Sequence, residues 1–307
     1  PNLTGPAGGV QSLAGTYVAV VDHDAPAVAV PTAPAGTDFS YHARTNDFAA
    51  VNAYYHANNV FDVVESLGFN LAAYFDGTAF PVRVDHRAKY STGDGVEVAA
   101  YCSGNLHADG IGPVGYCLTD LSDTAHPLGR AVDKWVHWHE LGGHGILWDH
   151  LHAGNFGFAH SAGDALAAFQ NDPVSLLRGR PERFRYAPFA GLDRWLNRAA
   201  ADGWGWGGPR DNGPYDYNAE QILAATLFRF YRAVGGDAAD EPTRRQAARL
   251  STYLVLNAVG HLMPGTNPPD AAGFYNALAA ADADDWTTEG WAGGAYRKVL
   301  RWAFEKQ

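Results

Sequence analysis

Apolar residues recur with a helical period between Asp47 and Leu67, at Val51, Tyr54, Tyr55, Phe61, Val64 and Leu67, which lines one face of a helix. Asn46 or Asp47 can cap its start and Gly68 can end it. Strand-like runs lie on either side: Thr16 to Val21, then Pro81 to Asp85, Val96 to Tyr101 and Val114 to Leu118. Thr92-Gly93-Asp94-Gly95 is a turn signal between two of them. Downstream the pattern becomes helical. One helix is expected from about Leu128 to Trp148, and a loop, Asp149 to Ala159, leads to another beginning near His160. Residues 171 to 217 read as irregular. Asn218 then caps a helix to Val234, with Gln221 at its third position and Gly235-Gly236 after its end. Two more run from Pro242 to about Val259 and from Ala295 onward. This order predicts an α+β fold. Residues 1–150 form a mixed N-terminal lobe with an edge strand, and residues 151–307 a mainly helical C-terminal lobe.

Composition narrows the function classes. The chain has 307 residues, 47% of them hydrophobic, and 18% charged, enough to bury a large core. No run of about 18 apolar residues occurs, so no membrane span is expected. The net charge of −11 argues against nucleic acid as a partner, since phosphate binding wants a basic face. An acidic surplus suits calcium (Ca2+) sites or plain solubility, and the sequence leaves both open. Cys102 and Cys117 flank a strand-loop-strand segment, compatible with a hairpin disulfide or with two buried thiols. The chain opens at Pro1 with PNLTGPAGG and shows no signal peptide, as a mature or trimmed fragment would. The expected location is secreted or extracellular.

The densest chemistry lies in Val136 to Phe169. Six of the 13 histidines fall between His137 and His160. His139-Glu140-Leu141-Gly142-Gly143-His144 presents two donors around a glutamate, and His160 and Asp164 follow. Such a set suits one zinc ion (Zn2+), with a glutamate placed to take a proton from water. The spacing constrains the backbone. His139 and His144 are five positions apart, about 500° of helical turn, so on a regular helix the rings diverge by roughly 140°. They converge only if one turn is widened, and Gly142 and Gly143 sit where the widening is needed.

HELGGH resembles the His-Glu-x-x-Gly-His motif of the dipeptidyl peptidase III family. Taken in order, AVNAYYHANNVFDVVESLGF, VEVAAYCSGN, HELGGH, HSAGD, DNGPYDYNAEQILAATLF and YNALAAAD with YRKVLRWAFEKQ resemble the catalytic domain of thermolysin- and fungalysin-type zinc metallopeptidases. The resemblance implies a thermolysin-like fold with the zinc site between its lobes. It implies His139 and His144 as zinc ligands and Glu140 as general base. His160 stands for that group's glutamate ligand, and Asp164 accepts a hydrogen bond from His139; the alternative is Asp164 as the third ligand, but the four-residue spacing puts it one turn behind the metal, where that group's aspartate sits. Peptide or protein substrate would pair with Val96 to Tyr101, including Val98 and Ala99, and Arg185 would bind a substrate carbonyl. The group's oxyanion histidine falls on Asp216, and an ionised carboxylate cannot donate. Tyr215 or Tyr217 could donate in its place.

Two functions are therefore expected to compete. The first is a zinc metallopeptidase, most simply an endopeptidase. The second is a non-catalytic zinc-binding scaffold acting as a binding or structural module, favoured by the altered third ligand and the missing oxyanion histidine.

Overall fold

The computed structural model describes residues 3–89, 100–104, 110–152, 157–186, 194–213 and 219–307. An antiparallel entry ribbon pairs β1 (Val10–Gln11) with β3 (Ala33–Pro34). The main sheet holds β2 (Val18–Val20), β4 (Val82–Asp85), β5 (Ala100–Gly104) and β6 (Ile111–Tyr116) in the order β2-β4-β6-β5. β2, β4 and β6 run parallel, and β5 lies antiparallel to β6 at the edge. Parallel neighbours need a long crossover, and α1 (Asn46–Ser66) supplies the one between β2 and β4. The buried face of α1 includes Ala50, Ala53, Ala57, Phe61 and Val64.

The cap of α1 differs from expectation. Thr45, not Asn46 or Asp47, is the N-cap, and its Oγ1 accepts from the Phe48 N–H. A threonine in extended backbone can do this while the next residues already turn. Gly68 follows the helix at φ +99°, a left-handed conformation that glycine adopts without steric cost. A short α2 (Leu71–Tyr74) comes next, capped by Asn70.

The histidine stretch forms three continuous segments. α3 (Lys134–His139) starts at Asp133, whose side chain accepts from the Trp135 N–H. A π-helical turn spans Glu140–Gly145, and α4 (Ile146–Leu151) continues the rod. The expected widening is therefore present. The rod starts later and ends later than the sequence predicts. α5 (Gly157–Asn171) begins before His160 and packs against it. A small hairpin, β7 (Arg185–Tyr186) with β8 (Arg194–Trp195), leads to α6 (Glu220–Tyr231). α7 (Glu241–Gly260), capped by Asp240, and α9 (Arg297–Lys306) match two expected helices. α8 (Ala271–Ala283), capped by Asp270, was not expected. One buried core takes residues from α1, the main sheet and helices α3 to α9. No described helix is long and apolar enough to cross a membrane. Cys102 and Cys117 are both buried free thiols.

Glycines set how closely α5 meets the histidine rod. A β-carbon on Gly163 would lie 2.7 Å from the His139 carbonyl oxygen and 3.1 Å from the Cα of Gly143. One on Gly143 would lie 2.4 Å from the Ala159 carbonyl oxygen. Those neighbours are backbone and cannot swing aside. Gly163→Ala should cost about 1–3 kcal/mol as overpacking does. At roughly 2–4 °C per kcal/mol for a chain of this order, its melting temperature should drop by several degrees. Gly5→Ala, where nothing lies within 4 Å, should melt like the parent protein. Thermal unfolding of the three proteins checks this.

Candidate metal centre

The π turn adds one residue to the circuit between His139 and His144, so both rings reach the same side of the rod. α5 brings His160 to them. His160 Nδ1 lies 3.1 Å from His139 Nε2 and 3.3 Å from His144 Nε2. One nitrogen from each ring falls in a group whose members are all within 4.8 Å of one another. Ligand atoms on a tetrahedral zinc, at bonds of about 2.0–2.1 Å, are separated by about 3.3–3.4 Å. The 3.1 and 3.3 Å separations fall close to that value, so the donor set fits a small divalent metal in geometry as well as in chemistry.

The backs of two rings are held. Asp164 Oδ1 lies 2.6 Å from His139 Nδ1. The carboxylate can only accept, so Nδ1 carries the proton and Nε2 keeps its lone pair for the cluster. His160 Nε2 faces Glu220 Oε1 at 3.7 Å. Arg194 stands between the two carboxylates, its Nε 3.8 Å from Asp164 Oδ2 and its Nη1 3.3 Å from Glu220 Oε2. Asp164, Glu220 and Arg194 are all buried.

Burial decides which rings are neutral. Desolvation, then the neighbouring His139, lowers the His144 pKa to about 3. Desolvation followed by His144 and His139 lowers that of His160 further. For His139 burial also acts downward, but Asp164 outweighs it and the pKa rises. Neutral imidazoles are the form that ligates metal. Glu140, 6% exposed, has its pKa raised by burial against the opposing pull of His139, Arg130 and the Cys102 backbone N–H. A carboxylate with raised proton affinity is suited to accept a proton. Cys102 lies on β5, so the edge strand passes close to the glutamate.

His139, His144, His160, Asp164 and Glu140 are thus gathered at one place. Val98, Ala99, Tyr215, Asp216 and Tyr217 lie outside the described residues. Arg185 is exposed, with its guanidinium 6.0 Å from the centroid of the Trp195 ring. On the opposite strand of that hairpin it is Arg194 that reaches the site's carboxylates. Sequence reasoning did not single out Glu220 or Arg194. Glu220 carried a weak signal, a carboxylate in the first turn of a helix within a stretch already assigned to the site. Arg194 carried none. Glu220 and Ser161 also line a cavity of about 270 Å³ whose other walls include Trp206, Asp211 and Phe274.

No protein-family model matches the chain, and no curated protein matches it.

Further histidines are also held neutral. Burial is the main cause for His137, lowered to about 3, and for His56 and His150, each lowered to about 4. His137 donates from Nε2 to the Ala131 carbonyl and accepts from the Tyr116 hydroxyl at Nδ1. These folded-state values lie below the unfolded value of about 6.5. The unfolded chain therefore takes up protons first as pH falls. The stability these groups contribute is complete above about pH 6.5 and declines toward about pH 4. With chelator present throughout, the melting temperature should fall over that interval. His137→Gln, which can still donate and accept, should show a shallower decline.

Proposed function

We propose that this chain is a zinc-dependent metallopeptidase on a thermolysin-like α+β scaffold. The observation that carries the reading is the convergence of three histidine nitrogens across a π turn that also holds Glu140. His139, His144 and His160 would hold the ion. A bound zinc supplies a positive charge that polarises a carbonyl and makes water more acidic. The chain's own residues do the rest. Asp164 fixes the His139 tautomer and ring plane. Glu140 takes a proton from the attacking water and passes it to the departing amide nitrogen. An extended peptide would add to the side of β5 that no described strand occupies, held by backbone hydrogen bonds alongside the Glu140 carboxylate. Tyr217 is proposed as donor to the developing oxyanion, because Asp216 stands where a histidine is expected.

That aspartate favours one other reading, a zinc-holding scaffold that binds rather than cleaves. Loss of an oxyanion donor typically costs about 100- to 1000-fold in rate, and an anionic neighbour adds repulsion.

The purified protein should carry about one equivalent of zinc, as three-histidine sites that keep one position open for water do, with His139→Ala and His144→Ala retaining little. Glu140→Gln should keep the zinc and the fold while chelator-sensitive cleavage of casein or a peptide library falls roughly 100- to 10,000-fold. Tyr217→Phe should show a smaller loss. Full zinc content in both histidine variants would end the metal assignment. A parent protein that holds zinc yet cleaves nothing across a broad panel would replace the peptidase with the binding scaffold.

A further inference from the structure

We infer that Glu220 and Arg194 are positioning residues for the metal centre: Glu220 orients His160, and Arg194 ties Glu220 to Asp164 so that two of the three histidines are held by one shared frame. The inference rests on the metal-binding reading above.

The two nitrogens of His160 face opposite demands. Nδ1 points into the cluster, at 3.1 Å from His139 Nε2 and 3.3 Å from His144 Nε2. Nε2 faces Glu220 Oε1 at 3.7 Å. With its proton on Nε2, directed at the carboxylate, the ring offers the Nδ1 lone pair to a metal. His139 is arranged the same way but more tightly, with Nδ1–H hydrogen-bonded to Asp164 at 2.6 Å and Nε2 inward, whereas Glu220 stands behind His160 at ion-pair distance. A carboxylate behind a ligating imidazole fixes its tautomer and strengthens it as a donor.

Arg194 makes the arrangement continuous. Its guanidinium reaches Asp164 Oδ2 at 3.8 Å and Glu220 Oε2 at 3.3 Å. The path His139–Asp164–Arg194–Glu220–His160 joins α3, α5, β8 and α6. Each carboxylate turns one oxygen toward a histidine and the other toward Arg194 at ion-pair distance. Glu220 is 4% exposed and Arg194 7%, and a buried ion pair gives little stability in itself. Charge offers a reason for keeping it. Three neutral imidazoles leave a divalent ion's charge uncompensated. Glu140, Asp164 and Glu220 set three carboxyl groups around that charge, against the guanidiniums of Arg194 and Arg130. Without Glu220 the Arg194 charge would oppose the metal's. The backbone supports the placement, because Ser161, next to His160, donates its hydroxyl to the Glu220 carbonyl at 2.8 Å.

The test uses the full chain and its Glu220→Gln, Arg194→Lys and Asp172→Asn variants. Asp172→Asn cuts a different buried ion pair, with Arg183, and serves as the structural control. Zinc affinity is read by competition with a chelating dye, and the ligand field by the visible spectrum of the cobalt-loaded protein. Both are measured well below the melting temperature of each metal-free protein. Glu220→Gln should weaken zinc binding about 10- to 100-fold and shift the cobalt bands. Arg194→Lys should move both the same way by less, and it decides the matter if Glu220→Gln does not fold. Asp172→Asn should lose stability while leaving affinity and spectrum unchanged. Parent-like affinity and spectrum in the Glu220 and Arg194 variants overturn the inference alone. A parent protein that takes up neither zinc nor cobalt overturns it together with the metal reading.

Discussion

The contact between Gly143 and Gly163 is the constraint on which the rest of the site depends. Two helices with ordinary side chains at their crossing sit about 8–10 Å apart. Here the backbones are closer: a β-carbon on Gly163 would fall 3.0 Å from the Cα of His139 and 3.1 Å from that of Gly143. That approach lets an imidazole from α5 meet two imidazoles from the rod with nitrogens 3.1 and 3.3 Å apart. The π turn solves a different problem. It rotates His144 back toward His139, but without the glycine crossing their shared face would lack its third donor. Other ties keep the crossing in register. The Lys134 ammonium donates to the Gln170 carbonyl at 2.7 Å, so the start of α3 is fastened to the far end of α5.

Close packing of polar rings has a cost that burial makes larger. Three imidazoles confined away from water cannot share more than a little positive charge, which is why His144 and His160 are driven neutral. His139 escapes because Asp164 sits 2.6 Å from it. The carboxylates bring their own desolvation cost, and Arg194 offsets part of it by lying between two of them. The centre is therefore a balance of buried charges in which removing any one member exposes the others. A divalent ion is the component we propose such a balance accepts.

How much of this was legible in the sequence depended on how local the signal was. The five-residue spacing of His139 and His144 forced a widened turn by geometry alone, and the turn is there. The helical face from Val51 to Leu67 and the stop at Gly68 were equally local. The cap at Thr45 was misplaced because Asn46 and Asp47 are also good caps, and only the backbone reveals which side chain meets a free N–H. α8 escaped because its 13 residues, AAGFYNALAAADA, alternate too little between apolar and polar to show a period. Glu220 and Arg194 escaped for another reason. Each is brought to the histidines by tertiary packing across a long stretch of chain, and neither belongs to a spaced motif. Gly163 was visible only as part of HSAGD, where the histidine and aspartate attracted the attention and the glycine between them carries the steric condition.

The edge strand connects this centre to what it would act on. β5 is paired with β6 on one side only among the described residues. Gly145 lets it come near the rod, since a β-carbon there would lie 3.0 Å from the Cys102 sulfur. Cys102 also lies close enough to Glu140 for its backbone N–H to draw the carboxyl's pKa down against burial. One strand thus stands beside the proposed base and, among the described residues, is paired on one side only. An unpaired strand edge invites pairing with any extended chain, and proteins ordinarily cover or charge such an edge. A strand edge beside a buried glutamate and three convergent imidazoles suits the extended peptide proposed as substrate. The scaffold reading accounts for the open edge equally well but leaves the raised proton affinity of Glu140 without a use. That residue, more than the metal ligands, is where the two readings part.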